Sequence, residues 1–406
     1  MPIFVPFRAL RPISECVAKF SAKTTDFKNQ EEVLADMRQN TETYYYVTKQ
    51  NLLSLVKKPL EHFFSMGAQF IQKKMASRDL LQDSKPGFYV YKQVDHATGR
   101  TYTGIIGLAD VLDLDKNVIK KHELTKVVRE EYLYKQLHYT EVLGEPVLMG
   151  HKYSQNIETL LEEACLKTPE YHFESIDKKE HQLWLINSLV ETEKVSKVFG
   201  ELEAFYIADG HHRCASTLRH YNRNPLPANR FFMIFLLDET QFHIDSFHRL
   251  VNGLEPELLK GLKDKISTNF EVSSYTKGQL FKPVKHSQYG LLTRNESLIL
   301  TLKKEPKTAN PEAHLDVVRL EKKLLTPFFN ITHPRTDQRL SYISSKEDNQ
   351  TIYNLLKKGA IDLAISNYPV KFDEVKNIAD AQKTMPPKST YIEPKLRGGM
   401  IIQKYT

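Results

Sequence analysis

Residues 205–217 read FYIADGHHRCAST, and this stretch joins an apolar strand to a helix through a short polar turn. The run Ala204–Ala208 is apolar and predicts a short buried strand, whereas Cys214–Tyr221 has the composition of a helix. Asp209 and Gly210 lie between these two elements, and Asp-Gly pairs favour turns. The two histidines and the arginine that follow therefore open the helix.

The turn between strand and helix has the chemistry of an anion site. The first backbone N–H groups of a helix have no partner within it, and the helix dipole favours negative charge beside them. Gly210 permits close approach of a ligand, and Arg213 can grip phosphate oxygens with two parallel hydrogen bonds. His211 and His212 can donate hydrogen bonds to the same group. Asp209 can hold Mg²⁺ against it, so the motif predicts a phosphate and metal loop.

Two other interpretations of this turn stay open at the level of the residues. Asp209 can be merely the N-cap of the helix, with Gly210 shaping the turn. Zinc is a weaker alternative, because adjacent histidines need further ligands and the sequence has no Cys-x-x-Cys or His-Glu-x-x-His motif. Two histidines and an arginine in one loop favour the anion site.

The rest of the chain mixes strands and helices without a strict βαβ order, which favours an α+β or mixed α/β fold. Residues 87–107 predict a β-hairpin with a glycine-containing loop, and Phe231–Leu237 predicts a buried strand. Gly290–Thr293 and Ser297–Leu302 predict a second pair of strands. His314–Phe328 predicts one continuous helix.

The length of the chain suits more than one domain. It has 406 residues, of which 41% are hydrophobic and 26% charged, as expected for two or three globular domains. We expect an N-terminal segment at residues 1–85, a catalytic core at 86–255 and a C-terminal α/β domain at 256–406 that contributes to a nucleotide site.

Charge and cysteine usage limit the partners and the compartment. The net charge of +7 is modest and lysines are interleaved with acids, so no nucleic-acid partner is expected. There is no run of about 18 apolar residues and no signal-peptide pattern, so we expect neither a membrane span nor export. Three widely spaced cysteines fit a reducing cytoplasm.

A His-Glu pair, His122 and Glu123, lies in the segment IKKHELT at residues 119–125. Glu123 can act as a general base that takes a proton from an attacking hydroxyl. By itself, however, a glutamate beside Lys120 and Lys121 is more often an ordinary surface carboxylate. The segment would not stand out without further information.

Two later segments carry weaker signals of anion binding. Phe242–Arg249 alternates like a strand end, with His248 and Arg249 at its tip as a second anion contact, or simply as an exposed polar edge. The loop MPPKST at residues 385–390 is pre-ordered by two prolines. Its donors suited to phosphate are Lys388, Ser389 and Thr390, although such loops are more often merely polar.

The motif IADGHHR resembles the hallmark of a bacterial domain family that is related to the archaeal free-serine kinase, in the ParB/sulfiredoxin superfamily. The resemblance runs over most of the chain. Its other segments are PFRALRP, PGFYVYKQ, IKKHELT, HRLV and MPPKSTYIEPKL. It implies a ParB/sulfiredoxin-like core with additional N-terminal and C-terminal α/β parts.

The resemblance also implies phosphoryl transfer between ATP or ADP and free L-serine or O-phosphoserine, with Mg²⁺. The implied catalytic residues are Glu123, Asp209 and His211, with Asp209 also the metal ligand. The implied nucleotide and phosphate contacts are Gly210, His212, Arg213, Lys388, Ser389 and Thr390. We assign the substrate contacts to His122, His248 and Arg249.

Two alternatives to a serine kinase remain. One is a ParB-like nucleotide-binding or DNA-associated regulator, although the sequence has no evident basic recognition helix. The other is a phosphoserine phosphatase that uses water as the acceptor. The direction of phosphoryl transfer depends on thermodynamics and nucleotide levels, and the residues do not determine it.

Overall fold

The computed structural model describes residues 1–23, 30–304 and 310–405, and it confirms the mixed α/β class that the sequence predicts. The strands are β1 (Phe4–Val5), β2 (Leu10–Pro12), β3 (Ala22–Lys23), β4 (Leu80–Gln82), β5 (Phe88–Asp95), β6 (Arg100–Asp110), β7 (Ile119–Lys120), β8 (Val142–Leu143), β9 (Val147–His151), β10 (Tyr171–Glu174), β11 (Lys179–Ile186), β12 (Phe205–Asp209), β13 (Phe231–Asp238), β14 (His243–Asp245), β15 (Phe247–Val251), β16 (Phe270–Ser274), β17 (Gln288–Thr293), β18 (Ser297–Leu302), β19 (Leu340–Ser344), β20 (Leu363–Asn367), β21 (Tyr391–Glu393), β22 (Arg397–Gly398) and β23 (Gln403–Lys404).

The α-helices vary from one turn to five. They are α1 (Ser14–Phe20), α2 (Gln30–Gln39), α3 (Tyr45–Thr48), α4 (Leu60–Ala76), α5 (Leu112–Asp115), α6 (Val127–Thr140), α7 (Gln155–Cys165), α8 (Leu189–Gly200), α9 (His211–Arg223), α10 (Pro256–Leu259), α11 (Leu262–Ile266), α12 (Asp316–Leu320), α13 (Thr326–Phe329), α14 (Asn349–Lys357) and α15 (Phe372–Asp380). A π-helix spans Glu321–Leu325.

The chain forms two compact units, of which the first contains Met1–Lys121, Thr125–Phe242 and Pro394–Thr406. In the part that the structure describes, its main sheet has the order β10-β11-β5-β6-β13-β9-β12-β7, and β1 pairs with β6. β5 and β6 form the predicted hairpin. β13 is parallel to β9, whereas β12 is antiparallel to it. The C-terminal ends of β12 and β13 therefore lie at opposite ends of the sheet.

An apolar core packs against one face of this sheet and includes residues of α7 and α8. α7 contributes a face at helical spacing, formed by Ile157, Leu160, Leu161 and Ala164, all buried. β13 is buried from Phe232 to Leu237, as its continuous apolar run predicts. Full burial of each large apolar side chain stabilises the fold by roughly 1.5–3 kcal/mol.

The second unit contains His122–Leu124 and His243–Glu393. Its sheet has the order β16-β18-β17-β20-β15-β19, with antiparallel neighbours, and it includes the two strands predicted at Gly290–Thr293 and Ser297–Leu302. Successive residues of β15 belong to different cores: Val251 joins the cluster that contains α12 and the π-helix, and Leu250 joins the cluster that contains α14. This alternation is the period of a strand buried on both faces.

The continuous helix predicted at His314–Phe328 is interrupted in the structure. A short 3₁₀ turn, α12, the π-helix and α13 follow one another across this stretch. Pro327 lies in the first turn of α13 and has no N–H to donate to the preceding turn, so regular α-helical hydrogen bonding cannot continue through it.

The two units divide the chain differently from the three parts expected from the sequence. The N-terminal segment 1–85 is part of the first unit, because Phe4 packs on Phe88 with ring centroids 4.9 Å apart and β1 pairs with β6. The chain passes to the second unit after Phe242, and its last segment returns to the first, where β22 pairs with β3.

No helix among the residues described is both long and apolar enough to cross a membrane.

Candidate active site

The turn after β12 has the geometry that the sequence predicts. Asp209 ends the strand, Gly210 has a φ of 105°, and α9 begins at His211. A Cβ atom built on Gly210 would lie 3.1 Å from both Nε and Nη2 of Arg213. Left-handed backbone and close approach of a guanidinium together require glycine here. No side chain caps α9 at this position, so the N-cap interpretation of Asp209 is not supported.

The carboxylate of Asp209 is held by two cations of the same unit. Lys395 Nζ lies 3.3 Å and Arg213 Nη2 lies 3.8 Å from its Oδ2 atom. Burial by the surrounding protein raises the pKa of Asp209, but Lys395 and Arg213 outweigh that effect and hold the pKa well below its usual range. The side chain is nevertheless 44% exposed, so an ionised carboxylate is presented to solvent.

Arg213 is fixed in place by the backbone. Its Nη1 donates to the carbonyl oxygens of Glu145 and Pro146, at the start of β9. One edge of the guanidinium is therefore occupied within the protein, and Nη2 remains beside Asp209. The sequence suggested that Arg213 binds phosphate through two parallel hydrogen bonds. Because Nη1 already donates to the backbone, the edge of the guanidinium that carries Nη2 is the one that can contact phosphate.

The two histidines of the motif differ in exposure. His211 is buried, whereas His212 is half-buried, and its Nδ1 atom has no hydrogen-bond partner among the described residues. Burial lowers the pKa of His212, Arg129 lowers it further, and Glu130 opposes both. His212 is therefore largely uncharged near pH 7 and can donate or accept a hydrogen bond.

A network of charged side chains connects α9 to α6 behind this turn. Arg219 donates to Glu130 at 2.6 Å and to Glu131 at 2.9 Å, and Arg223 reaches Glu131 at 3.1 Å. These bonds fix the first helix after the turn against its neighbour. Sequence reasoning missed this network and also Lys395, which the chain brings to Asp209 from 186 residues away.

The His-Glu pair belongs to the second unit. The carbonyl of His122 accepts a hydrogen bond from the backbone N–H of Met385 at 2.8 Å, which joins this segment to the start of the MPPKST loop. His122 is buried, and Glu123 is partly exposed. Two segments that the sequence treats as separate signals are thus neighbours, although Glu123 itself belongs to a different unit from Asp209.

The positions predicted for His248 and Arg249 require correction. Both residues lie inside β15 rather than at a strand tip, and they are 7% and 1% exposed. Arg249 Nη1 donates to the carbonyl of Phe247 at 2.7 Å and to Oδ1 of Asn367 at 2.6 Å, whereas its buried Nη2 has no partner among the described residues. The alternation at Phe242–Arg249 predicted extended backbone, but it did not predict the division into β14 and β15 or the burial of β15 between neighbouring strands.

In the MPPKST loop at residues 385–390, one of the three donors predicted to contact phosphate is used within the loop itself. The hydroxyl of Ser389 is buried and donates to the carbonyl of Pro386 at 2.7 Å. Lys388 has a left-handed backbone with a φ of 53°, and its ammonium lies 4.9 Å from the ring centroid of Phe247. Thr390 is partly exposed. Lys388 is therefore the exposed donor of this loop.

A carboxyl group that the sequence did not single out lies near these residues. Burial raises the pKa of Glu321 to about 7, against the opposing effects of Arg249 and Arg335. Arg335 Nη2 in turn donates to the carbonyl of Met385 at 3.4 Å. Contacts and charge interactions within the second unit thus connect the His-Glu segment, through Met385 and Glu321, to Arg249.

One cluster of three potential metal ligands occurs in the part of the chain that the structure describes. It consists of His243, Asp245 and Glu393 and belongs to the second unit. Lys346 contacts two of these carboxylates, and its single positive charge offsets half of their combined negative charge. Asp209 also has cationic neighbours, Lys395 and Arg213, but its carboxylate is 44% exposed. A single carboxylate is compatible with Mg²⁺, because this ion commonly uses one or two carboxylates with water and substrate phosphates.

The fold and the turn define an α/β protein with a glycine turn that leads from a strand into an uncapped helix. The chain belongs to the family described as protein of unknown function (DUF1015), whose model matches residues 4–318. No curated protein matches the sequence.

Solved structures with some similarity cover most of the chain. A mutant of free serine kinase in complex with AMP is 13% identical, with a TM-score of 0.38, over 72% of this chain and 91% of that one. SbnI from Staphylococcus aureus, truncated at its C-terminus, is 12% identical with a TM-score of 0.38, over 73% and 87% of the respective chains. A conserved hypothetical protein from Pyrococcus furiosus is 12% identical with a TM-score of 0.35, over 72% and 94%.

Proposed function

We propose that this protein transfers a phosphoryl group between an adenine nucleotide and the hydroxyl of free serine, in one direction or the other. The observation that carries the proposal is the ionised, half-exposed carboxylate of Asp209, held by Lys395 and Arg213 at the start of α9. A carboxylate, two cations and the start of a helix at one turn suit a phosphate with its metal ion.

The residues of the turn have separate roles in this proposal. The amides at the start of α9 and Nη2 of Arg213 bind phosphate oxygens, and Lys395 adds a second positive charge. His212 is largely uncharged near pH 7 and donates a hydrogen bond to the same oxygens. Asp209 would hold Mg²⁺, which neutralises phosphate charge when it is bound. Phosphoryl transfer depends mainly on such positioning and charge neutralisation.

Glu123 is proposed as the general base. In the kinase direction it takes the proton from the serine hydroxyl, whose oxygen then forms the bond to phosphorus as the nucleotide leaves. In the reverse direction it returns a proton to the serine oxygen. The resemblance of IKKHELT to the His-Glu motif of the serine kinase supports this role. The backbone hydrogen bond between His122 and Met385 joins this segment to the MPPKST loop, which is the proposed nucleotide contact.

The remaining predicted contacts are assigned to the same reaction. Lys388, as the exposed donor of its loop, is proposed to contact the nucleotide, with Ser389 and Thr390 shaping the loop around it. Because His248 and Arg249 are buried, we propose that they act on the substrate indirectly. Arg249 does so by lowering the pKa of Glu321 against the effect of burial.

The proposal is tested by incubating the full-length protein with Mg²⁺ and either ATP with L-serine or ADP with O-phosphoserine, and following ³¹P resonances. We expect nucleotide-dependent exchange between the phosphoserine and nucleotide signals, absent from Asp209→Asn. Phosphate release that needs no nucleotide would instead identify a phosphatase. Absence of turnover in both directions, together with salt-sensitive DNA binding, would favour the regulatory alternative.

A further inference from the structure

A cavity of about 310 Å³ lies in the first unit, between α7 and the strands that α7 covers. Its volume is at the small end of ligand pockets, which measure roughly 300–1,000 Å³. Residues from β5, β6 and α7 form its walls, and the segment 238–241 closes one side. The lining residues include Lys92, Thr103, Ile157, Leu161, Glu162 and Cys165.

The cavity is separate from the Asp-Gly turn. Asp238, at the C-terminal end of β13, lines the cavity and pairs with His151 at the end of β9. Asp209, at the C-terminal end of β12, pairs with Leu148 near the start of β9. The two sites therefore lie toward opposite ends of the same sheet, and a ligand of one does not occupy the other.

Two opposite charges line this cavity without pairing. Lys92 and Glu162 make no ion pair with each other, and neither side chain has a hydrogen-bond or ion-pair partner within the described part of the chain. Both act on the thiol of Cys165: burial raises the pKa of this thiol, Lys92 lowers it, and Glu162 raises it. An ammonium and a carboxylate thus flank the same lining residue.

The other polar side chains of the wall that carry an amide or a carboxylate are hydrogen-bonded to neutral groups of the protein. Gln241 accepts from the backbone N–H of Thr103 at 2.7 Å and donates to its carbonyl at 3.0 Å. Asp238 accepts from the N–H of Thr240 at 2.8 Å. Glu158 accepts from the hydroxyl of Tyr153 at 2.8 Å. Lys92 and Glu162 are therefore the charged groups of this wall whose side chains have no hydrogen-bond partner within the described part of the chain, whereas Glu158 and Asp238 are charged but already accept hydrogen bonds.

The base of the cavity is apolar. Ile157 and Leu161 are 2% and 6% exposed and belong to the core of the unit, one helical turn apart on α7. An apolar group that covers them gains roughly 25 cal/mol per Å² of area removed from water. The ligand that matches this wall has an apolar part together with one positive and one negative group.

We propose that this cavity binds a free α-amino acid with an apolar side chain, whose carboxylate pairs with Lys92 and whose ammonium pairs with Glu162. The side chain lies against Ile157 and Leu161. Such a ligand satisfies both charges at once, whereas a simple amine or a simple carboxylic acid leaves one of them unpaired. The inference does not depend on phosphoryl transfer.

The test is calorimetric titration of the full-length protein with L-leucine, and with 3-methylbutylamine and 4-methylpentanoate as probes that each lack one charge. We expect saturable binding of L-leucine and binding weaker by about tenfold or more for each half-probe and for L-serine. Glu162→Gln and Lys92→Met should each weaken the binding of L-leucine by a similar factor. Glu163→Gln is the matched control, because this adjacent exposed residue pairs with Lys194 at 2.6 Å.

Cys165 supplies an independent readout. Iodoacetamide labelling followed by peptide mass spectrometry should show protection of Cys165 by L-leucine, with Cys16 as the internal control because it is also partly exposed and does not line the cavity. The proposal is overturned if no apolar L-amino acid binds saturably at millimolar concentration. It is equally overturned if the half-probes bind as well as L-leucine, or if Glu162→Gln and Glu163→Gln behave alike.

Discussion

Lys395 and Asp209 are separated by 186 residues, yet Nζ of the lysine lies 3.3 Å from Oδ2 of the aspartate. This ion pair holds the side chain of Lys395 at the turn that leads into α9. The carboxylate keeps its charge while remaining partly open to solvent. The ammonium of Lys395 is therefore already positioned to contact a phosphate that binds at the turn.

Replacement of Lys395 by methionine is expected to weaken nucleotide binding about tenfold or more, because a charge-assisted hydrogen bond to phosphate is lost. Isothermal titration with ATP and Mg²⁺ measures the effect. Lys152→Met is the control, since this lysine also pairs with one carboxylate, Glu203, at 3.7 Å and is exposed. Equal affinities in the two variants would remove Lys395 from the site.

The same variant has a consequence for stability at low pH. The pKa of Asp209 is lowered in the folded protein, so its stabilising contribution is present above the unfolded pKa of about 4 and is lost as the pH falls further. Removing Lys395 takes away part of that contribution. We expect the melting temperatures of wild type and Lys395→Met to differ at pH 7 and to converge as the pH falls below about 4.

Glu123→Gln is expected to lower the rate of phosphoryl transfer by about 10²–10⁴-fold, the typical contribution of a general base. Nucleotide affinity should stay nearly unchanged, because the amide keeps the size of the side chain. Single-turnover ³¹P measurements and titration with nucleotide separate the two effects. Glu201→Gln, at an exposed position after α8, should leave both quantities as in wild type. Normal turnover in Glu123→Gln would end its assignment as the base.

Gly210→Ala is expected to destabilise the first unit by about 1–3 kcal/mol, because the residue has a φ of 105° and a new Cβ would crowd Arg213. Urea unfolding monitored by circular dichroism measures the loss. Gly200→Ala is the matched control, since this glycine ends α8 and a Cβ there meets no atom within 4 Å. It should be neutral or slightly stabilising. Similar losses in both variants would contradict the required conformation at Gly210.

Glu321 is expected to make stability depend on pH near neutrality. Its pKa is raised to about 7 in the folded protein. Its contribution to the free energy of unfolding is therefore fully present below the unfolded pKa and is lost as the pH rises through 7. Glu321→Gln removes this dependence. The unfolding free energy of the variant minus that of wild type should therefore be about 2 kcal/mol larger at pH 8 than at pH 5. Denaturant titrations at both pH values test it, with exposed Glu347→Gln as control. A constant difference between variant and wild type would contradict a buried, titrating carboxyl.

Local patterns predicted much of the first unit. The hairpin at residues 87–107, the buried strand that begins at Phe231 and the strand–turn–helix around Gly210 all appear where the sequence places them. Each of these signals depends on neighbouring residues, such as apolar runs, alternation or an Asp-Gly turn. Pro327, in contrast, interrupts a helix that the apolar spacing alone predicts as continuous.

The sequence by itself determined the mixed α/β class and the polar turn with its aspartate, glycine, histidines and arginine, because backbone conformation and strand or helix periodicity depend on residues close in the chain. Only the tertiary structure brought Lys395 to Asp209, buried Arg249 inside β15 and left Lys92 and Glu162 unpaired in one cavity. Such relationships join residues far apart in sequence. They depend on how strands pair and helices cover them, and no local pattern contains that information.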